Sequence, residues 1–291
     1  MEQYQADFYK TLVERVALHN KVILEIGCGN GSIVKQLAND YPSAFVYGIE
    51  PGLDTWWNTT ASSGERYSIL DGDGEDIQFP DGFFDVIYTL TTFEHIKNPE
   101  KCLSEAKRVL KDGGEFYTFF AGIWTSVIGH HWHHWVYDDA KKMPPWAHLY
   151  MSYEEMHDYL INNGETPELA REICEFVYNS DVLNRIDCRR HESAILSCGM
   201  EVLGYSKSYV KSRLAVIAGE DGDELTDEIR FKMNGRYTDE ELYTCGMYAH
   251  LRKNELFVKT SKAKQLTYKC RILIGKLKRI AKQLLGSRNV G

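Results

Sequence analysis

The sequence of 291 residues predicts an α/β fold, a Rossmann-like, doubly wound and mostly parallel seven-stranded sheet with helices on both faces. Three observations predict this fold. Short apolar runs alternate with helical patterns over the first 120 residues, a glycine-rich loop follows the first run, and an acid ends the second run. The expected architecture also includes an insertion of helices and loops after the fifth strand and an amphipathic helix at the C-terminus.

Strands and helices are expected to alternate in the first part of the chain. One helix is expected to start with Ser32 as its N-cap and to run to about Asn39. A second covers residues 99–110, where Leu103, Ala106 and Val109 have the spacing of a buried face. The five expected strands are residues 21–26, 44–49, 67–70, 85–90 and the segment after the turn at 111–114.

The alternation stops after the fifth strand. Residues 121–195 are rich in Trp, His and Tyr, and we expect them to form an insertion that covers the ligand end of the sheet. Strands are expected again at 200–209 and 247–253, with mainly helical structure over 225–246. Residues 1–258 are therefore interpreted as one domain and residues 259–291 as a basic tail.

The composition excludes some classes of protein. A hydrophobic content of 43% is enough for a full core, and a net charge of −8 argues against general nucleic-acid binding. The seven cysteines are scattered, which indicates free thiols in a reducing compartment. The N-terminus lacks the pattern of a signal peptide, and no apolar run approaches about 20 residues. We therefore expect a cytoplasmic protein.

The stretch "LEIGCGNG" suggests a ligand site at the end of the first strand. Glycines such as Gly27, Gly29 and Gly31 permit positive φ and let a ligand approach the backbone closely. Dinucleotide sites use a related loop to bind a pyrophosphate, but here Ser32 replaces their third glycine. Because Glu25 precedes the loop, a cationic ligand fits better than a phosphate chain.

Two further acids extend this site. Glu50 ends the second strand about 20 residues later, where a carboxylate can accept both hydroxyls of a ribose. Asp73 follows the third strand and could bind an adenine amino group, although Asp71 or Asp76 could make that contact instead. A cation, a ribose and an adenine without phosphates together describe S-adenosylmethionine.

The motifs "LEIGCGNG", "YGIEP" and "GDGEDIQFPDGFFDVIYTLTTFEHIKNPEKCLSEAKRVLKDGG" resemble those of class I S-adenosylmethionine-dependent methyltransferases of the type 11 group. The resemblance covers roughly residues 20–120 and implies that Glu25 and the glycine loop hold the methionine part, Glu50 the ribose and Asp73 the adenine. The expected cofactor contacts are Glu25, Gly27, Cys28, Gly29, Gly31, Glu50, Pro51, Asp73, Gly74, Glu75 and Thr89.

A cluster of histidines in "GIWTSVIGHHWHHW" follows the fifth strand, near the expected acceptor site. A histidine titrates near neutral pH and could take a proton from an acceptor hydroxyl. The predicted catalytic residues are His130, His131 and His134. Two alternatives for this stretch are a metal site on a helical face shared by His130 and His134, and simple packing. The prediction includes no metal. His95 is a weaker candidate, and Glu94 is expected to support the site.

Aromatic side chains around these histidines suggest walls for an acceptor, since tryptophan packs well on the apolar faces of sugar rings. The predicted acceptor-binding residues are Trp124, Trp132, Trp135 and Tyr150. The stretches "GIWTSVIGHHWHH" and "HLYMSYEEMHDYL" also resemble, less specifically, methyltransferases that modify bacterial surface polysaccharides.

The tail contains a basic amphipathic pattern in "CRILIGKLKRIAKQLLG". At about 100° per residue, its leucines and isoleucines lie in one arc and its lysines and arginines in the other, with Ile272 alone misplaced. Such a helix binds anionic membrane surfaces, here at the inner face of the membrane. Docking on the acidic body, a homodimer contact and RNA binding are the alternatives.

Together these features predict an O-methyltransferase that acts on a sugar, phosphosugar or lipid-linked glycan in cell-surface polysaccharide biosynthesis. One alternative is a methyltransferase of small molecules or lipids, such as quinones or natural products. The other is a non-catalytic protein that binds the cofactor and a partner.

Overall fold

One mixed sheet of eight strands organises the computed structural model, which describes residues 2–53, 60–132, 142–213, 215 and 222–255. The strands are β1 (Val22–Ile26), β2 (Phe45–Glu50), β3 (Ser62–Ser63), β4 (Tyr67–Asp71), β5 (Phe84–Leu90), β6 (Leu110–Ala121), β7 (Glu201–Tyr209) and β8 (Thr244–Arg252). Their order in the sheet is β3-β4-β2-β1-β5-β6-β8-β7.

The central five strands run parallel, and antiparallel strands lie at both edges. The expected α/β fold class is confirmed. The strand beyond the expected seven is β3, whose two residues are too short to produce a readable sequence pattern. The chain leaves β1 toward β2 on one side and returns to β5 on the other, so the carboxyl end of β1 is a topological switch point.

Nine α-helices lie wholly within the described part of the chain. They are α1 (Gln3–Arg15), α2 (Ser32–Asp40), α3 (Pro99–Val109), α4 (Ala147–Tyr150), α5 (Tyr153–Asn162), α6 (Pro167–Cys174), α7 (Cys188–Ser197), α8 (Asp227–Met233) and α9 (Asp239–Tyr243). The predicted N-cap of α2 was wrong by one residue. Gly31, with φ of +72°, occupies that position, and Ser32 is the first helical residue.

Helices cover both faces of the sheet. On one face, Phe8 and Leu12 of α1 and Leu37 of α2 pack with Tyr88 and Tyr117 of the sheet. On the other face, α3 and α7 share a core with side chains such as Leu24, Ile87 and Phe116. The alternating inward and outward side chains of the strands divide the interior into these two cores.

The end of the expected insertion, α7, packs on the sheet with α3. The residues between β6 (the expected fifth strand) and α7 form a separate unit, called the cover, with cores of its own. Its helices pack around side chains that include Trp132, Met156 and Val177, and a second cluster centres on Trp146. The Trp146 indole donates a hydrogen bond to the carbonyl of Leu242, 3.2 Å away, which ties the cover to α9. The predicted tail, His133, His134 and Trp135 lie outside the described residues. In the described part of the chain, no helix has the length and apolar character needed to span a membrane.

Two buried histidines make the fold sensitive to acid. Burial lowers the pKa of His148 and of His191 to about 4, and neither ring nitrogen of His191 has a hydrogen-bond partner among the described residues. The unfolded chain binds protons below about pH 6.5, whereas these folded sites resist protonation until about pH 4. The stabilisation that they contribute is therefore complete above about pH 6.5 and declines as the pH falls toward 4.

We expect the unfolding free energy to fall by about 2 kcal/mol per buried histidine between pH 7 and pH 5. Urea unfolding of His191→Leu should show a smaller difference between the two pH values. It should also be about 1 kcal/mol more stable at pH 7, because unpaired polar atoms leave the core. His19→Leu, at an exposed site, is the matched control. An unchanged pH difference in His191→Leu would contradict the assignment.

Candidate functional site

The loop after β1 lies at the switch point and leaves no room for side chains. Gly27 and Gly31 both have φ of +72°. The amides of Gly27 and Cys28 donate to the carbonyl of Ile49, at 2.9 and 3.1 Å, which anchors the loop on the end of β2. A Cβ at Gly27 would lie 2.4 Å from the Cγ2 of Thr92. The glycines are therefore needed for the path of the backbone as well as for access of a ligand.

Glu25 is a buried acid beneath this loop, with 3% of its surface exposed. The Tyr88 hydroxyl donates to its Oε2 atom at 2.9 Å. Burial raises the pKa of Glu25 well above its usual value, and the charge of Glu50 adds to this. A nearby cation would counter both effects, so this position favours a positively charged ligand.

Glu50 lies partly exposed at the end of β2. Its Oε2 atom accepts a hydrogen bond from the amide of Gly29 at 2.8 Å, so the acid also fixes the glycine loop. Pro51 follows in an exposed turn, and the amide of Gly52 donates to Asp71 at 3.0 Å. Asp71, an alternative for the adenine contact, thus already holds the turn after β2.

The segment after β4 forms a tight, partly structural turn. Asp73 is exposed and accepts a hydrogen bond from the amide of Glu75 at 2.8 Å. Gly74 is buried, and a Cβ there would lie 2.6 Å from Ile26. The carboxylate of Glu75 accepts from the amide of Asn98 at 2.8 Å, so this side chain supports the start of α3. Asp73 and Asp76 are both exposed in this turn, so both remain candidates for the adenine contact.

Two predicted cofactor contacts have side chains directed into the protein. Thr89 is fully buried, and its hydroxyl lies 2.7 Å from that of Thr118 in the neighbouring strand. Cys28 is 7% exposed, and burial raises the pKa of its thiol. Neither side chain has an open surface for a ligand, because both belong to packed regions. A ligand could reach the backbone of Cys28 in the loop, but not its side chain.

The residues after β5 form the second half of the site. Thr91 has φ of +47°, which is strained for a β-branched residue and is typical of functional positions. Its side chain lowers the pKa of Tyr4, from α1, so the two side chains lie close together. Sequence reasoning missed Tyr4, since the contact joins residues far apart in the chain and no local pattern marks it.

The two described members of the histidine cluster turn to different sides. His131, with φ of +58°, donates from Nε2 to the carbonyl of Gly122 at 2.6 Å, and its ring lies 5.4 Å from that of His95. His130 accepts the Trp132 amide at Nδ1 and lies 5.5 Å from the ring of His148. Both are buried. Residues 130–132 are not α-helical, and His134, the other residue of the helical face considered above, lies outside the described residues.

A metal site finds no support in the part of the chain that the structure describes. No group of three or more His, Cys, Asp or Glu side chains there could hold a metal ion.

The predicted aromatic walls are partly used by the core of the cover. Trp132 is 5% exposed and packs 5.4 Å from Phe176, so the expectation that it faces an acceptor was wrong. Trp124 is half-buried, with the Arg185 guanidinium 5.8 Å above its ring. Tyr150 is also half-buried, with the ammonium of Lys232 at 5.2 Å. Trp124 and Tyr150 keep some surface for an acceptor.

Residues 24–118, about a third of the chain, match the family model of a methyltransferase domain. The chain carries a class I S-adenosylmethionine-dependent methyltransferase domain. The expected cofactor, S-adenosylmethionine, agrees with this membership. The matched residues run from β1 into β6. They include the glycine loop, Glu50 and the segment after β5.

Curated relatives resemble the chain over this same region. Sarcosine/dimethylglycine N-methyltransferase from Halorhodospira halochloris is 29% identical over 40% of the chain and 45% of its own length. Malonyl-[acyl-carrier protein] O-methyltransferase from Geobacter sulfurreducens is 29% identical over 32% of the chain and 36% of its own length. The match therefore spans less than half the length of either relative. A methyltransferase structure from Methanosarcina mazei superposes with a TM-score of 0.46 at 15% identity, over 84% of the chain and 97% of its own.

Proposed function

We propose that the protein transfers the methyl group of S-adenosylmethionine to a hydroxyl of a sugar, phosphosugar or lipid-linked glycan. The observation that carries the cofactor part is the juxtaposition of Glu25 and Glu50 on a glycine loop with positive φ. Two acids in this crevice favour a cationic nucleoside over a pyrophosphate.

The acceptor part depends on the residues beyond β5 and in the cover. Methyl transfer to oxygen needs a group that takes the hydroxyl proton, and titratable side chains cluster there. The half-buried Trp124 and Tyr150 would supply apolar faces for a sugar ring. His130 and His131 remain proposed contributors, although their buried contacts favour a packing role for both.

A second candidate is methylation of a small molecule or lipid. The curated relatives include a sterol 4-C-methyltransferase from Caenorhabditis elegans and the malonyl-[acyl-carrier protein] enzyme named above. Their names cover nitrogen, carbon and oxygen acceptors, so relatedness leaves the acceptor atom open.

Methyl-labelled cofactor distinguishes these acceptors. We expect label to enter a lipid-linked glycan fraction from bacterial membranes and to be released as an O-methyl sugar after acid hydrolysis. Label confined to quinone or fatty-acid fractions would favour the second candidate. Label in no fraction, with cofactor bound, would support a non-catalytic protein.

The basic tail is proposed to bring the enzyme to the inner face of an anionic membrane. Residues 256–291 contain ten Lys or Arg and no acid. Each basic residue near an anionic surface contributes about 1 kcal/mol. The full chain should sediment with vesicles that contain phosphatidylserine, and a chain truncated after Val258 should not. Vesicles of phosphatidylcholine alone are the control, and equal sedimentation of both chains would refute the proposal.

A further inference from the structure

Glu94, expected from the sequence to support the site, is a buried acid. It lies four residues beyond the end of β5 and is 5% exposed. The backbone amides of Glu94 itself and of Ala121, at the end of β6, lower the pKa of its carboxyl group, so both lie near it. The Oε2 atom is buried and has no hydrogen-bond partner among the described residues. A buried oxygen of this kind indicates a missing partner.

The surroundings of Glu94 include Tyr4 of α1 and the segment that borders the glycine loop. Burial and the acid at the N-cap of α1 raise the pKa of Tyr4, and the charges of Glu94 and Glu25 raise it further. The Tyr4 hydroxyl is therefore within electrostatic reach of both acids. A Cβ at Gly27 would lie 2.4 Å from the Cγ2 of Thr92, two residues before Glu94, so the segment that carries Glu94 borders the glycine loop.

Other titratable groups also lie around Glu94. His95 is the next residue and donates from Nδ1 to the carbonyl of Val182, 2.8 Å away. His131 comes from the cover and contacts the His95 ring. Because the hydrogen on Nε2 of His131 is bound to Gly122, that nitrogen is not available to take a proton. Glu94 is the acid in this group with an unpaired buried oxygen.

We propose that Glu94 accepts the proton of the acceptor hydroxyl during methyl transfer, and that the bound sulfonium converts its carboxyl group to the charged form. This inference rests on the proposed function. In the step, an oxygen lone pair forms the O–CH3 bond and the CH3–S bond breaks with its electrons going to sulfur. The hydroxyl proton passes to Oε2 of Glu94, which leaves S-adenosylhomocysteine and a methyl ether.

The electrostatics agree with this role. Burial raises the pKa of Glu94 to about 8. A general base works best when its pKa lies near the working pH. A nearby positive charge lowers a carboxyl pKa by about 1–3 units, so the sulfonium should release the proton before the acceptor reacts. The product, S-adenosylhomocysteine, lacks this charge.

Calorimetric titration at pH 7 in phosphate and in Tris measures the protons released on binding, because the two buffers differ in ionisation enthalpy. S-adenosylmethionine and S-adenosylhomocysteine share the ammonium group that would act on Glu25, so release common to both ligands reports on that acid. The difference between the two ligands reports on Glu94. We expect S-adenosylmethionine to release more than about half a proton beyond its product.

The variants separate the two acids. Glu94→Gln keeps the size of the side chain. It should remove the difference in proton release between the two ligands and keep the proton release that both ligands share. Glu94→Asp should restore part of the difference. Glu25→Gln should keep the difference and lose the common release. Glu154→Gln, exposed on α5, is the matched control and should behave as the unmodified protein.

If Glu94→Gln still binds S-adenosylhomocysteine and the two ligands still differ as much in proton release as with the unmodified protein, the assignment is overturned. No binding of either ligand by the unmodified protein would instead overturn the proposed function. If Glu94→Gln unfolds, Glu94→Asp decides: a proton difference unchanged from the unmodified protein refutes the role, and a reduced one supports it.

Discussion

A Gly27→Ala variant is expected to bind S-adenosylhomocysteine more than about 100-fold more weakly and to lose about 3 kcal/mol of unfolding free energy. Gly27 has φ of +72°, a conformation that strains any residue with a side chain. The added Cβ would also lie 2.4 Å from Thr92, which belongs to the strained segment after β5. To relieve this clash, the loop that carries the cofactor must shift. Calorimetry and urea unfolding measure the two effects.

Gly113→Ala is the matched control for this variant. Gly113 has φ of +79°, but nothing lies within 4 Å of a Cβ built there. It should therefore show the cost of backbone strain, about 1–2 kcal/mol, without loss of cofactor affinity. If Gly27→Ala binds the cofactor product as well as Gly113→Ala does, the proposed close approach at the loop is wrong.

The second large effect is expected for Glu50→Ala. This variant removes the acceptor for the amide of Gly29, and with it the carboxylate proposed to bind the ribose hydroxyls. Charge-assisted hydrogen bonds of this kind contribute about 1.5–3 kcal/mol each, so affinity for S-adenosylhomocysteine should fall by at least about 100-fold. The melting temperature without ligand should also fall, because the Gly29 amide loses its acceptor, but by less than in Gly27→Ala, since Glu50 is partly exposed.

Glu65→Ala tests whether the loss is specific to this position. Glu65 is an exposed acid that pairs weakly with Arg66, at 3.7 Å on the surface. Its removal changes the net charge by the same amount and should leave affinity unaltered. A loss below about fivefold in Glu50→Ala would argue against the ribose contact.

The part of the site that sequence reasoning could predict lies on consecutive elements. Glu25, the glycine loop and Glu50 follow directly from the ends of two apolar runs, and parallel strands place their carboxyl ends together. The alternation of strands and helices was enough for the fold class. Ser32 was misplaced by one residue because a glycine in the left-handed region can take the N-cap position without a capping side chain.

The acceptor half was harder to predict because it is built from distant segments. Tyr4 reaches Thr91 from an N-terminal helix whose amphipathic pattern says nothing about its partner. Trp132 carries no local sign that it packs on Phe176. Thr89 and Thr91 are the same residue type two positions apart. The Thr89 hydroxyl contacts that of Thr118 inside the sheet, whereas Thr91 lies beyond the end of β5. Burial of this kind depends on tertiary packing.

The most direct test of the central claim is a crystal structure with S-adenosylhomocysteine. We expect its amino-acid part to lie on the glycine loop beside Glu25, its ribose hydroxyls to contact Glu50, and its adenine to lie near Asp73. A crevice beside Glu25 that stays empty at saturating ligand, or that binds a pyrophosphate when NAD is supplied instead, would contradict a site built for a cationic nucleoside.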